Sequence, residues 1–140
     1  MKIKIAKKDA EILACHAVTA QLRPRLTADA FLAQVKRQGK NHGFELVYLI
    51  ENGEVLAVGG IRIAEWLAGG KYLEIEDLVT AETARSSGYG GRLFDWIVDY
   101  AKSEGCDQIK LVSAVKRFGA HRFYLNRRMI IEAHYFSMSL

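Results

Sequence analysis

Proline is nearly absent: Pro24 is the single one in 140 residues, so a ring-imposed break in regular structure is expected only there. Cysteine is scarce too. Cys15 and Cys106 are too few and too far apart for a disulfide framework or a zinc site, and free thiols with no metal are expected. No apolar run reaches spanning length, and the opening Lys2-Ile3-Lys4-Ile5 alternates instead of building a signal peptide. The expectation is a cytosolic protein with no membrane partner. Repeats, low-complexity tracts and long linkers are missing, so residues 1–140 are expected to form a single domain with its own core. Charge of one sign is also in short supply. The net charge of +4 is spread along the chain, without an aromatic-interleaved basic helix or zinc-finger spacing. Lys116, Arg117, Arg122, Arg127 and Arg128 cluster late, which fits a solvated face, and no nucleic acid partner is expected.

What is present is periodicity. Lys2 to Lys7 alternates like a half-buried strand, and Asp9 stands where a helix N-cap belongs. Ile12, Leu13, His16, Ala17 and Ala20 recur at helical spacing through Gln21, and a second helix runs from Thr27, its cap, to Gln38. Phe44–Ile50 and Val55–Trp66 flank Asn52-Gly53, a pair suited to a tight hairpin turn. After Gly69-Gly70 the sequence predicts a strand over Tyr72–Thr80, a helix over Tyr89–Glu104 and a short buried strand over Gln108–Val112. A helix near Ala120–Arg127 and an extended Ile130–Leu140 complete the order β-α-α-β-β-β-α-β-α-β, a mixed sheet flanked by helices.

The informative segment is Leu78 to Gly91, where a strand passes into a helix through small residues. The first turn of a helix holds N–H groups without intrahelical partners and the positive end of the dipole, so it suits a pyrophosphate. Gly88, Gly90 and Gly91 allow close approach, Arg85 supplies a cation, and Ser86 and Ser87 supply hydroxyl donors. A Walker loop would need Lys-Ser or Lys-Thr where Arg92-Leu93 follows, and a dinucleotide fingerprint would need a third glycine three residues on.

With Arg85-Ser-Ser-Gly88-Tyr-Gly90, the chain resembles the general N-acetyltransferase (GNAT) superfamily, whose signature is Arg or Gln, two residues, Gly, one residue, then Gly or Ala. The resemblance extends back to Leu78-Val79-Thr80 and forward to Ala120-His121-Arg122-Phe123-Tyr124. It implies an α/β fold with a central mixed, mostly antiparallel sheet of six to seven strands flanked by about four helices, and acetyl-CoA as cofactor. It also implies pantetheine contacts from the backbone of Leu78, Val79 and Thr80, and a pyrophosphate cradle from Arg85, Ser86, Ser87, Gly88, Tyr89, Gly90 and Gly91. Two departures stand out: Arg127-Arg128-Met129 replaces a Gly-Phe-like break before the last strand, and Arg117 stands near a common Asn.

Acetyl transfer to an amine needs a neutral nucleophile, and deprotonating an alkyl ammonium at pH 7 costs about 4 to 5 kcal/mol. Glu74 and Glu76 alternate onto one strand face, about 7 Å apart, where repulsion and partial burial would raise one pKa. Either could accept the proton directly or through water; the resemblance places the family's base at Glu74. Asp77 points away, toward a structural role. A tyrosine keeps its proton at neutral pH, and the resemblance gives Tyr124 the protonation of the leaving thiolate. The reading is an N-acetyltransferase working by direct attack on a small-molecule or peptide amine, with a homodimer through a strand edge as a further expectation. Its alternative is an acyl-CoA-binding or sensing module without chemistry. Neither cysteine is read as a nucleophile, His16, Trp66 and Trp96 are read as core, edge or packing residues, and His121, one helical turn before Tyr124, is left unassigned.

Overall fold

The computed structural model describes residues 1–140 as two compact units, Met1–Lys110 and Leu111–Leu140. In the first, β1 (Lys2–Ile5) leads into α1 (Asp9–Ala14), α2 (His16–Ala20) and α3 (Ala28–His42). Then come β2 (Glu45–Glu51), β3 (Glu54–Trp66), β4 (Gly70–Thr80), a 3₁₀ turn (Glu82–Ala84), α4 (Tyr89–Ser103) and β5 (Gln108–Leu111). The sheet order is β1-β2-β3-β4-β5, with β1 through β4 antiparallel in sequence.

Both faces of the sheet are covered, which explains why β2 reads as an unbroken apolar run. Leu46, Tyr48, Val58 and Val79 meet Ile12, Cys15, Val18, Phe31 and Val35 of the N-terminal helices. On the other face α4 packs across β2, β3 and β4 with Leu93 and Ile97 fully buried. Burying one such side chain stabilises the fold by about 1.5–3 kcal/mol. The Asn52-Gly53 turn has φ of 52° and 77°, the left-handed pair that a two-residue hairpin requires.

Several expectations need correction. The first helix is capped at Lys8, not Asp9, and the Glu11 side chain reaches back to the Lys8 N–H at 2.9 Å. That helix is also broken: Cys15 ends α1 and starts α2. Thr27 does cap α3, its hydroxyl accepting from the Ala30 N–H at 3.2 Å. The sheet has five strands, not six or seven. Ile130–Leu140 pairs with no strand, because its backbone N–H and C=O groups find no ladder partner and every residue in it is exposed.

The second unit holds α5 (Phe118–Asn126). Its end explains the Arg127-Arg128-Met129 departure. The Met129 N–H donates to the Tyr124 carbonyl at 3.1 Å and the Arg128 N–H to the Leu125 carbonyl at 3.0 Å, the paired bonds of a Schellman stop. Arg128 takes the left-handed position, φ 68°, that glycine ordinarily fills.

Candidate functional site

The strand β4 carries the candidate carboxylates and then bends. Val79 pairs with Val58 and Glu76 with Gly60, so Asp77 and Leu78 together face the single residue Gly59 in a β-bulge. Asp77 takes φ 56° there. Bulges re-aim side chains. Here the Asp77 carboxylate turns to Arg23 in the chain after α2, accepting from Nε at 2.9 Å and from Nη2 at 2.5 Å. The structural role expected of Asp77 is this forked pair.

Before the bulge, Glu74 and Glu76 share a face with Arg62, which pairs with Glu74 across the hairpin. Arg62 Nη2 lies 2.6 Å from Glu74 Oε1, and its Nε lies 3.5 Å from Glu76 Oε2. The two carboxylates are therefore unequal. Glu74 is the more buried and better bonded, its side chain 18% exposed against 39% for Glu76. Burial, followed by the Glu74 charge, pushes the Glu76 carboxyl above its ordinary value, with Arg62 opposing. Arg62 was not singled out from sequence, although counting back across the Gly69-Gly70 turn would have put it opposite Glu74.

Between the N-terminal helices and the sheet lies a cavity of about 130 Å³ that Asp77 lines and Glu74, Glu76 and Arg62 do not. Its polar lining comes from Thr19, Arg23, Gln34, Gln38 and Asp77, and Phe44 closes part of its apolar wall. The Phe44 ring lies over Gly60, where an added Cβ would come within 2.5 Å of it and 2.8 Å of the Glu76 carbonyl. Close packing, not chain flexibility, requires that glycine.

Past the bulge, Val79 and Thr80 pair with β3, and the Thr80 carbonyl has a further partner in the Gln21 amide. β5 starts beside Lys71, where the Asp107 N–H donates to the Lys71 carbonyl at 2.7 Å. At about 3.3 Å per residue its four residues are too short to run alongside Leu78–Thr80. The loop that follows exposes Arg85, Ser86, Ser87 and Gly88. Ser86 and Gly88 are left-handed, φ 68° and 82°, and Gly88 starts α4 with no side chain capping the first turn. Gly90 sits so near the strand that a Cβ there would lie 2.8 Å from Thr80 Oγ1. Gly91 is buried. A strand end beyond the reach of β5 and an uncapped helix N-terminus thus meet in one place.

Tyr89 differs from its neighbours. Its hydroxyl donates to Glu51 at 2.6 Å and its ring packs against the core. Gln21, missed from sequence, pins the region from the other side. Its amide donates to the Thr80 carbonyl at 3.0 Å and accepts from the Glu82 N–H at 2.9 Å. Nothing local in the sequence signals contacts spanning some sixty residues.

The remaining predicted site residue, Tyr124, lies in the second unit. It is half-buried on α5, with its ring 5.6 Å from Phe123 in an edge arrangement. The thiols are set for packing. Cys15 is fully buried and its pKa is pushed up to about 12 by burial and then by Glu11, and burial also raises Cys106. His16 bonds the Leu26 carbonyl at 2.7 Å and stacks near Phe31.

The sequence pattern of the Acetyltransferase (GNAT) family matches residues 10–128. The chain belongs to that family. This acetyltransferase is 31% identical over 122 residues to the uncharacterized N-acetyltransferase YhdJ of Bacillus subtilis (strain 168), covering 86% of each chain. It is 27% identical over 114 residues to an aminoalkylphosphonate N-acetyltransferase of Salmonella typhimurium, covering 81% of this chain and 71% of that one. Its fold matches that of a ribosomal-protein-alanine N-acetyltransferase from Brucella melitensis with a TM-score of 0.85 over the whole of both chains, at 10% identity. Membership makes the protein an N-acetyltransferase dependent on acetyl-CoA. No helix is long and apolar enough to cross a membrane.

Proposed function

We propose that the acceptor is a small primary amine that attacks the acetyl group directly, with Glu76 as proton acceptor, Glu74 as its positioning partner and Tyr124 as proton donor. The chain acts in this reading as a homodimer meeting at a sheet edge. The observation that carries it is the asymmetry around Arg62. One carboxylate is held in a short ion pair, and the other is left half-exposed with a raised pKa. A base closer to neutrality gives up less driving force while still ionised at pH 7.

The cofactor contacts follow from the same unit. The strand end Leu78, Val79 and Thr80, which β5 is too short to reach and whose Thr80 carbonyl is held by Gln21, suits an amide-bearing arm. The backbone of Arg85 through Gly91 suits a pyrophosphate, since left-handed loop residues and a helix N-terminus gather N–H donors on one side. A Cβ at Gly90 would narrow that cradle, which fits a close-lying ligand. Acetyl-CoA supplies the acetyl group as a thioester.

The chain's residues manage the protons. Glu76 takes one from the acceptor ammonium, directly or through water, and Arg62 with Glu74 holds that carboxylate in place. The Tyr124 hydroxyl, protonated at pH 7, holds the proton that a departing thiolate needs. Direct attack fits the thiols, because a buried Cys15 with a pKa of about 12 is no nucleophile at neutral pH.

A cavity of about 130 Å³ admits a group the size of a small side chain, below the 300 Å³ or so typical of larger ligands. Asp77, Glu74 and Glu76 favour a cationic amine. The aminoalkylphosphonate acceptor of the Salmonella relative is such a small amine, whereas the Brucella fold relative is named for a protein amine. The test is thiol release from acetyl-CoA with a panel of polyamines, amino acids, aminoalkylphosphonates and lysine peptides. Turnover on a small amine that collapses in Glu76→Gln and Tyr124→Phe supports the reading; turnover confined to peptides, or retained in both variants, overturns it.

A further inference from the structure

Trp66 does more than pack. Near the closed end of the β3–β4 hairpin its ring and that of Tyr72 stand 5.5 Å apart at 62°. The Lys110 ammonium, from β5, lies over both, 3.4 Å from the Trp66 ring centre and 4.1 Å from that of Tyr72. The face of an aromatic ring carries the negative side of its quadrupole, so two such faces turned to one point form a receptor for an ammonium. The indole is backed by the Gly69 turn, where an added Cβ would come within 2.9 Å of Trp66 Nε1. Tyr72 is buried, whereas Trp66 is 41% exposed, so the cluster opens to solvent on the indole side.

This pair shares a sheet face with the carboxylates. Side chains alternate along a strand, so Tyr72, Glu74 and Glu76 line one side of β4, and Trp66 and Arg62 line the same side of β3, with Arg62 opposite Glu74 and Ala64 opposite Tyr72. Tyr72 and Glu76 are four residues apart, about 13 Å along the strand. One row therefore holds an ammonium at one end and two carboxylates toward the other, with the Arg62 guanidinium engaged by those carboxylates. Negative charge and aromatic faces in series suit a chain of cationic nitrogens joined by methylene groups.

We infer that the Trp66–Tyr72 pair is a second ammonium site for the acceptor, which is then a polyamine: one terminal nitrogen is acetylated beside Glu76 while a distal ammonium displaces Lys110 from the rings. The inference rests on the small-amine reading above and narrows its substrate class. In the transfer the N–C bond to the acetyl group forms and the thioester C–S bond breaks. Of the two protons the nitrogen loses, one goes to Glu76 and the other ends on the departing sulfur. Lys110 is in this arrangement an internal competitor for the distal ammonium.

The test sets spermine against n-butylamine as acceptors from acetyl-CoA, in the full chain, Trp66→Leu and Lys110→Gln. Trp66→Leu should raise KM for spermine about tenfold at unchanged kcat. Lys110→Gln, which keeps the stem and removes the charge, should lower that KM, an effect no folding defect imitates, and neither variant should move the values for butylamine. Equal kcat/KM for the two amines in wild type, or variants that shift both amines alike, would overturn the inference and keep the small-amine reading. Binding separates the two without turnover. The chain has two tryptophans, so in Trp96→Phe the fluorescence reports Trp66 alone. Spermine should change that fluorescence, and at lower concentration once Lys110→Gln is added. Such a change with no turnover on either amine would keep the ammonium site and overturn the acceptor role; no change would overturn the site.

Discussion

At the scale of single residues, the proposed proton transfer depends on how Arg62 is shared between two glutamates. Glu76 has a raised pKa and must be ionised to accept a proton, so kcat/KM should fall on the acid side of a pKa above the ordinary glutamate value. Glu76→Gln should remove that limb and lower kcat by about 10²–10⁴. Stability should move the other way. A carboxyl whose folded pKa is raised favours the fold in its protonated form, and that contribution is lost as pH rises through the folded value. Glu76→Gln should therefore melt at or above the wild-type temperature at pH 7, with the difference fading toward acid; a clear loss would make Glu76 a structural carboxylate. Arg62→Met tests the same arrangement, because removing the opposing cation should shift the acid limb of the rate profile to higher pH. The carboxylate pair was legible in the sequence from strand alternation alone. Which member has the raised pKa was not, since that depends on a cross-strand cation and on burial.

At the scale of elements, two close approaches and one helix stop make checkable claims. Gly60→Ala would drive a Cβ against the Phe44 ring and the Glu76 backbone, and backbone cannot swing away. A loss of about 1–3 kcal/mol in denaturant unfolding is expected, together with a higher KM for the amine, because Phe44 lines the cavity. Arg128 sits left-handed at the end of α5, where a side chain is a cost. Arg128→Gly should raise stability by about 0.5–1 kcal/mol without changing kcat, and a destabilised variant would show that the Arg128 side chain matters more than its backbone. The helix over Tyr89–Ser103 was plain from apolar spacing and the Gly105 end signal, whereas the one capped by Thr27 runs to His42, four residues past the expected Gln38. The break at Cys15 was not plain. Apolar spacing continues through it, and only packing of a fully buried thiol against the sheet side of the core shows where the helix turns.

At the scale of the molecule, acid stability gathers at Glu11, which joins β1, α1 and β2. Its carboxylate accepts from the Lys7 and Lys8 N–H groups and from the Tyr48 hydroxyl, and these bonds, the Lys8 bond first, hold its pKa down to about 2. A depressed carboxyl contributes stability that is whole above its unfolded value, about 4.3, and is lost as pH falls toward 2. Wild type should thus unfold more readily than at pH 7 once acidified through that window, and Glu11→Gln should be less stable at pH 7 yet converge with wild type near pH 2. The sequence by itself determined the hairpin, the glycine-dense strand-to-helix junction and the order of most elements, because each rests on neighbours within a few residues: turn chemistry and apolar periodicity. It also predicted a last strand over Ile130–Leu140, which the structure does not form. Only the tertiary structure decided what those pieces meet. The bulge that turns Asp77 to Arg23, the Gln21 clamp on Thr80 and Glu82, the unequal burial and pairing of Glu74 and Glu76 and the lack of a ladder for Ile130–Leu140 all depend on distant segments sharing space, and no local signal specifies that.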